Sequence, residues 1–215
     1  MFITYLGHSC FKLQDKAGPE GITVITDPFD KKIGLKEPHF EADIVTVSHA
    51  HDDHNNIGAI RGNPFIIDSA GEYDVKGVSV IGIDSYHDDK EGKERGKNII
   101  YRFSIDDLMV VHLGGMGQSA LDTKQLEKLE GTDILLIPVG GKYTIDAKTA
   151  VEIISQIEPR IVIPMHYKVK DLKLDIDGLD KFVKEFGVKP REEEKLKISK
   201  KDLPQEEMEL VVLTV

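Results

Sequence analysis

The residues best suited to chemistry in this 215-residue chain are its eight histidines, three of which fall within six positions. His49, His51 and His54 form the segment His-x-His-x-Asp-His with Asp53, directly after the apolar run Ile44–Val47. Because side chains alternate along an extended chain, His49 and His51 point the same way and can hold one cation. Imidazole and carboxylate suit Zn²⁺, Fe or Mn. The spacing predicts a metal centre at a strand's carboxyl end, where open α/β sheets usually place their sites.

Two further histidines follow strand-like runs in the same manner. His87 comes shortly after the run Val78–Ile83, and His166 directly follows the run 161–165. Either could be a partly exposed histidine at a strand end, and the 49–54 segment could be a polar turn with chance histidines. The shared placement favours ligands of one metal centre.

The elements that must position these residues are short β-rich runs, mixed with helical stripes in the second half. Val- and Ile-rich runs predict strands at 22–26, 44–47, 65–67, 78–83, 98–103, 108–113, 134–137, 161–163 and 210–215. Apolar spacing predicts helices near 122–129, 147–154 and 179–186, with Asp146 as an N-cap and Gly187 as a stop. Continuous apolar runs indicate strands covered on both faces, so a layered α/β sandwich is predicted. The polar stretch 190–203 is expected to be a solvated connection.

Composition limits the class of protein. The chain is 40% hydrophobic and 31% charged, which is typical of a globular protein, and its length suits one domain spanning 1–215. Its net charge of −10 argues against nonspecific binding to nucleic acid or to anionic membranes. No run approaches the roughly 18 apolar residues of a membrane span, and no secretion signal is evident. Cys10, the single cysteine, is expected to be a small buried hydrophobe and fits a cytoplasmic location.

Taken in order, several segments resemble the metallo-β-lactamase-fold superfamily of metal-dependent hydrolases. The resemblance is greatest to the branch of ascorbate-6-phosphate lactonase-like and uncharacterised bacterial and archaeal hydrolases. The matching segments are 6–11, 26–29, 49–54, 87–98, 112–114, 138–144 and 163–167. The resemblance implies a four-layer αββα sandwich with a dinuclear site along one edge.

The resemblance also implies a role for individual residues. The first metal would be held by His49, His51 and His87, and the second by Asp53, His54 and His166. Asp27 would steady the ligand loop from behind, and His112 is a candidate for the same role. Zinc is the first expectation, as one or two ions, with Mn²⁺ or Fe as alternatives.

One segment departs from the superfamily pattern. Gly115 stands where relatives usually carry an aspartate that bridges the two metals. Each metal would keep three protein ligands, the number found in catalytic zinc sites, but binding should be weaker, most of all at the second metal. Gly115 also favours an alternative, a catalytically degenerate protein that serves as a metal-binding or scaffold module.

The expected chemistry is hydrolysis. A metal lowers the pKa of its bound water from ~15.7 toward ~7, which supplies hydroxide at neutral pH. Asp53 is the natural group to orient that water or to receive its proton. Lys142, Tyr143 and Arg95 are candidate substrate-binding residues, although the alternatives, a glycine-rich turn at 140–144 and a solvated charged hairpin at 88–98, are favoured by the sequence alone.

A small ester, lactone or phosphodiester is the expected substrate, since no large inserted domain is present. Neither nucleic acid nor a membrane is an expected partner, and the sequence leaves the oligomeric state open. Redox chemistry at a di-iron site is less favoured, because the chain shows neither an additional electron-transfer domain nor more acidic ligands.

Overall fold

Fourteen strands form among the described residues, which are 1–15 and 21–215 of this computed structural model. In chain order they are β1 Phe2–Gly7, β2 Cys10–Gln14, β3 Thr23–Thr26, β4 Ile44–Thr46, β5 Phe65–Ile67, β6 Gly71–Val75, β7 Val78–Tyr86, β8 Lys97–Ile105, β9 Leu108–His112, β10 Ile134–Pro138, β11 Ile161–Met165, β12 Arg191–Glu193, β13 Leu196–Lys197 and β14 Glu209–Leu213. Each of the nine runs predicted as strands coincides with one of these.

The strands form two sheets of mixed direction. The six-stranded sheet has the order β13-β1-β2-β3-β4-β5, and the eight-stranded sheet has the order β12-β14-β11-β10-β9-β8-β7-β6. In the first sheet β1, β3 and β4 run the same way, because β2 is antiparallel to both β1 and β3. In the second sheet β7, β9, β10 and β11 share one direction for the same reason. Residues that follow these seven strands are therefore gathered at the carboxyl ends of the two sheets.

The inner faces of the sheets pack against each other and form the main core. Ile3 and Leu13 of the six-stranded sheet share one buried cluster with Val80, Phe103 and Val110 of the eight-stranded sheet. Alternation of buried residues along β1 shows why these runs are strands with one face in the core. The core fixes the relative position of the two sheets whose ends carry the histidines.

Three helices cover the outer face of the eight-stranded sheet: α1 Thr123–Leu129, α2 Ala147–Ile157 and α3 Leu179–Phe186. All three were predicted. Asp146 caps α2 by accepting the amide N–H of Thr149 at 2.9 Å, and α3 ends at Gly187 with a φ of 74°. No helix in the described part of the chain is long and apolar enough to cross a bilayer.

The outer face of the six-stranded sheet is covered by short turns. Ile25 and Val45 of that sheet pack in a second buried cluster with Ile33, Leu172 and Ile176 from surrounding loops. Two 3₁₀ turns contribute to this layer, at Lys31–Ile33 and Ile57–Ala59. The predicted αββα sandwich is confirmed, with turns in place of long helices in one outer layer.

The expectation of a solvated connection at 190–203 is wrong in part. β12 pairs with β14, and β13 pairs with β1, so this polar stretch adds an edge strand to each sheet. β12 has no fully buried side chain and β13 buries only Leu196, so neither strand is long enough to show an apolar pattern. Strands β1, β2 and β6 were also absent from the predicted set. Cys10 is fully buried in β2, as expected.

Candidate metal centre

Seven of the described residues are potential metal ligands that gather at the carboxyl ends of the strands. The first cluster consists of His49, His51 and His87, and the second cluster consists of His8, Asp53, His54 and His166. In each cluster, one candidate ligand atom per residue lies within 4.8 Å of the others. The six predicted ligands are thus brought together, in the two groups that the resemblance implies, and His8 joins the second.

In the first cluster the three imidazoles meet after β4 and β7. The ring centroid of His49 lies 4.8 Å from that of His51 and 4.3 Å from that of His87. His51 is exposed, whereas His87 is buried. This cluster therefore contains only neutral donors and is open to solvent on one side.

The second cluster is more deeply placed and contains a carboxylate. His8, His54 and His166 are at most 1% exposed, and the ring centroid of His8 lies 4.1 Å from that of His166. Asp53 Oδ2 lies 3.0 Å from His8 Nε2 and 3.6 Å from His54 Nε2. The ring centroids of His49 and His54 are 4.1 Å apart, so the two clusters are adjacent.

Asp27 fixes the tautomers of ligands in both clusters. Its carboxylate accepts the N–H of His54 Nδ1 at 2.7 Å, and it accepts the hydroxyl of Ser48 at 2.6 Å. Ser48 Oγ can then accept the N–H of His49 Nδ1 at 2.9 Å. With both Nδ1 atoms protonated, His54 and His49 each present the lone pair of Nε2. Asp27 is fully buried and takes the position behind the ligands that was predicted for it.

The buried nitrogens of the site fit a cation. His49 Nε2, His54 Nε2, His87 Nδ1 and His166 Nδ1 have no hydrogen-bond partner among the described residues. Leaving such groups unmatched costs free energy, and a divalent cation satisfies several lone pairs at once. The donor set of imidazoles with one carboxylate suits zinc.

Burial keeps these imidazoles neutral, as metal ligands must be. It lowers the pKa of His87 to about 4, and it lowers the pKa values of His54 and His166 well below the ordinary range. Burial alone would raise the pKa of Asp53, but the hydrogen bond from His8 and the neighbouring imidazoles hold it far below its usual value. At neutral pH the second cluster therefore offers the carboxylate of Asp53 and the neutral imidazoles of His54 and His166.

Gly115 faces the first cluster. A Cβ atom at this position would lie 2.5 Å from His49 Cε1 and 3.1 Å from His87 Cε1. Its φ is not positive; the left-handed residue is Gly114, at 60°, which packs against Ser48. The ring of His49 thus occupies part of the space that an aspartate side chain would need.

The other predicted residues lie around this centre. His112 donates from Nε2 to the carbonyl of Ser9 at 2.8 Å and accepts the amide of Gly114 at Nδ1, so it holds two loops of the site and has no free nitrogen. Arg95 and Tyr143 line the cleft above the clusters, with the guanidinium 5.4 Å from the ring centroid. Lys142 does not line this cleft, and its ammonium pairs with Asp175.

The loop that carries Arg95 is organised by one carboxylate. Asp88 accepts four amide N–H groups, at 2.7 to 3.0 Å, from Lys90, Gly92, Glu94 and Arg95. Burial alone would raise the pKa of Asp88, but these donors lower it to about 2. The main chain at Arg95 is thereby fixed beside the metal centre.

Sequence reasoning missed several contributors. His8 lies in the turn between β1 and β2, and its only signal was membership of a segment that resembles the superfamily. Lys32 and Lys173 line the cleft from loops that are distant in sequence. Ser48, which links Asp27 to His49, carries no signal of its own.

The two stacked sheets and the histidine-rich edge define the metallo-β-lactamase class of protein. The chain belongs to the family described as the beta-lactamase superfamily domain, whose sequence profile matches residues 2–166. A UPF0173 metal-dependent hydrolase of Methanopyrus kandleri is 26% identical, over 87% of this chain and 94% of that protein. Another, of Methanospirillum hungatei, is 29% identical over 86% and 91%.

A solved structure from Thermotoga maritima agrees over nearly the whole chain. That protein, described as a candidate Zn-dependent hydrolase of the metallo-β-lactamase superfamily, is 37% identical with a TM-score of 0.78 and covers 99% of this chain and 97% of its own. The metallo-hydrolase Igni18 of Ignicoccus hospitalis has a TM-score of 0.60 at 20% identity, which supports the fold alone. The comparisons agree on the fold and the superfamily.

Proposed function

We propose that this protein is a zinc-dependent hydrolase of a small ester, lactone or phosphodiester. The observation that carries the proposal is the set of unmatched buried nitrogens in two adjacent ligand clusters at the base of a cleft. The names of the relatives in Methanopyrus and Thermotoga support hydrolysis with a metal. A divalent cation held by these clusters would supply Lewis acidity and make a water molecule more acidic.

The volume and the charged side chains of the cleft limit which substrates it can bind. It encloses about 480 Å³, which suits a small molecule, and His51, Asp53 and His87 contribute to its wall. Arg95 and Lys173 line it and have no ion-pair partner in the described part of the chain. Two such cations beside the clusters favour a substrate that carries a phosphate or a carboxylate.

Asp53 is the candidate proton acceptor. Its side chain is 24% exposed toward the cleft, and its depressed pKa keeps it anionic at neutral pH. Oδ2 accepts from His8, which leaves Oδ1 to receive a proton from an attacking water. Arg95 and Tyr143 would meanwhile hold the substrate over the ligand clusters.

The proposal can be tested with protein purified without chelator. Metal content should be at least one zinc per chain, and turnover should be measured on p-nitrophenyl phosphodiesters, lactones and β-lactams. Arg95→Ala should raise KM for an anionic phosphodiester about tenfold, as expected for losing a charged hydrogen bond, and should change kcat little.

Lys93→Ala is the matched control, because Lys93 lies on the same loop but pairs with Glu91. Equal effects of the two variants would contradict the role of Arg95. Bound zinc with no turnover on any of the three substrate classes would favour the scaffold alternative raised by Gly115. Absence of any bound or titratable metal would overturn the proposal itself.

A further inference from the structure

His8 has the features of a metal ligand. Its ring is fully buried, lies 4.1 Å from the ring of His166 and 4.9 Å from that of His54, and directs Nε2 toward Asp53 Oδ2 at 3.0 Å. We propose that His8 is the fourth protein ligand of the second cluster, and that this cluster, rather than the first, holds the more tightly bound metal. This inference rests on the proposed metal dependence.

The hydrogen-bond partners of its two ring nitrogens distinguish His8 from a buried histidine with a purely structural role. His112 is equally buried, and both of its nitrogens have protein partners. In His8, Nε2 contacts Asp53, but Nδ1 is buried without a partner in the described residues. His54 and His166 also have one buried nitrogen without a partner. Neither nitrogen of His8 is thus engaged by a group outside the second cluster, since the one partner of Nε2 is the cluster member Asp53, and this distinguishes His8 from His112.

The separation between His8 and Asp53 suits a shared ion. Two atoms bound to one tetrahedral zinc at about 2.0–2.1 Å lie roughly 3.3 Å apart. The 3.0 Å from His8 Nε2 to Asp53 Oδ2 is close to that value and is also within hydrogen-bond distance. The same two atoms can therefore exchange a shared proton for a shared cation with little movement.

The backbone holds His8 and His166 side by side. Both residues have a left-handed backbone, with φ values of 56° and 54°, a conformation that is uncommon outside glycine. The amide N–H of His166 donates to the carbonyl of His8 at 2.7 Å, and the hydroxyl of Tyr5 donates to the same carbonyl. Such conformations cluster where the surrounding structure fixes a functional geometry.

A fourth ligand changes the expected order of metal affinities. The absent bridging carboxylate at Gly115 suggested a weaker second metal. With His8, however, the second cluster has three imidazoles and one carboxylate, the complete tetrahedral set of a closed zinc site. The first cluster keeps three imidazoles, and its exposed member His51 borders the cleft, so it is the open site that exchanges its ion.

The test is calorimetric titration of the full-length, metal-free chain with Zn²⁺. The wild type should bind one tight and one weaker equivalent. His87→Ala should keep the tight equivalent and lose the weaker one. His8→Gln should raise the tight Kd by more than ~100-fold, beyond the usual cost of losing a residue that only supports a ligand. His39→Gln, an exposed histidine outside both clusters, is the control and should change neither Kd.

A second measurement separates ligation from mere positioning. Glutamine keeps an N–H donor for Asp53, so an increase of the tight Kd by less than ~100-fold is what a supporting role would give, and it would overturn the inference. At one equivalent of zinc, X-ray absorption should count three imidazoles in the wild type and two in His8→Gln; three in both would also overturn it. His8→Asn, which tolerates the left-handed backbone, repeats the test if His8→Gln unfolds. A wild type that binds no zinc would overturn the proposed function instead.

Discussion

The first and second clusters each contain three histidines, yet they differ in charge and in burial. The first has three neutral imidazoles, and its member His51 is exposed. The second has Asp53 and three imidazoles that are at most 1% exposed. A buried site with an anionic ligand retains a cation, whereas an open neutral site leaves a coordination position for substrate. On the inference above, the second cluster would hold the metal and the first would perform the chemistry.

The largest effect is expected from Asp53, because it belongs to the second cluster and also lines the cleft. Asp53→Asn removes the only carboxylate among the seven ligands and the candidate proton acceptor. Turnover should fall by about 10²–10⁴-fold, and the tight zinc equivalent should be lost. Steady-state kinetics and metal analysis of the same sample check this. A variant that keeps its zinc and its rate would remove Asp53 from the site.

Asp27 should affect both clusters, whereas Ser48 should affect only the first. Asp27→Asn weakens the support of His54 directly and that of His49 through Ser48, so both zinc affinities should fall by about 10–100-fold. Ser48→Ala should lower only the weaker affinity. Calorimetric titration of both variants tests the relay, and equal losses at both sites in Ser48→Ala would argue against it.

Position 115 tests whether the first cluster tolerates a side chain. Gly115→Ala forces the ring of His49 to move, so the weaker zinc affinity should fall about tenfold while the tighter one is unchanged. Gly115→Asp suffers the same displacement but adds an anionic oxygen, and it should bind the weaker zinc better than Gly115→Ala. Competition with a chromophoric chelator measures both. Identical affinities in the two variants would show that the added carboxylate does not reach the metal.

The free energy of unfolding of the protein without added metal should depend on pH, because both clusters contain buried histidines. An unfolded histidine has a pKa near 6.5, and burial lowers that of folded His87 to about 4. Between these values the unfolded chain binds a proton that the folded chain does not. The free energy of unfolding should therefore fall on acidification, by about 1.4 kcal/mol per pH unit for each such histidine.

Urea unfolding between pH 7 and pH 4 measures that slope. His87→Gln should make the slope shallower over this range. His166→Gln should do the same, because burial also lowers the pKa of His166 well below the ordinary range. A slope that neither substitution alters would mean that these imidazoles are protonated in the folded protein.

The candidate site was easiest to predict from the sequence where potential metal ligands follow directly after strands. His49, His51 and His54 could be placed because a buried strand precedes them and their spacing is specific. The same logic extended to His87 and His166, since parallel strands end at one edge. The helices near Asp146 and Gly187 were predictable from caps and periodicity, which act locally.

Other features depend on contacts that no local pattern encodes. His8 reaches the second cluster through a turn held by Tyr5 and His166. The edge strands at Arg191–Glu193 and Leu196–Lys197 are only three and two residues long, and Leu196 is their single buried side chain, so no apolar pattern reveals them. Lys173 joins Arg95 in the cleft because a loop covers the six-stranded sheet, and loop paths follow from packing rather than periodicity.

The Asp88 turn makes the position of Arg95 insensitive to salt. The turn is held by four neutral amide N–H groups that donate to the carboxylate of Asp88. The lysine ion pairs around it are exposed, so added salt screens them. With a pKa of about 2, Asp88 keeps its charge in all but strong acid. In concentrated brine or in mild acid, the guanidinium would therefore still be presented at the same place, and only its attraction for a distant anion would decline.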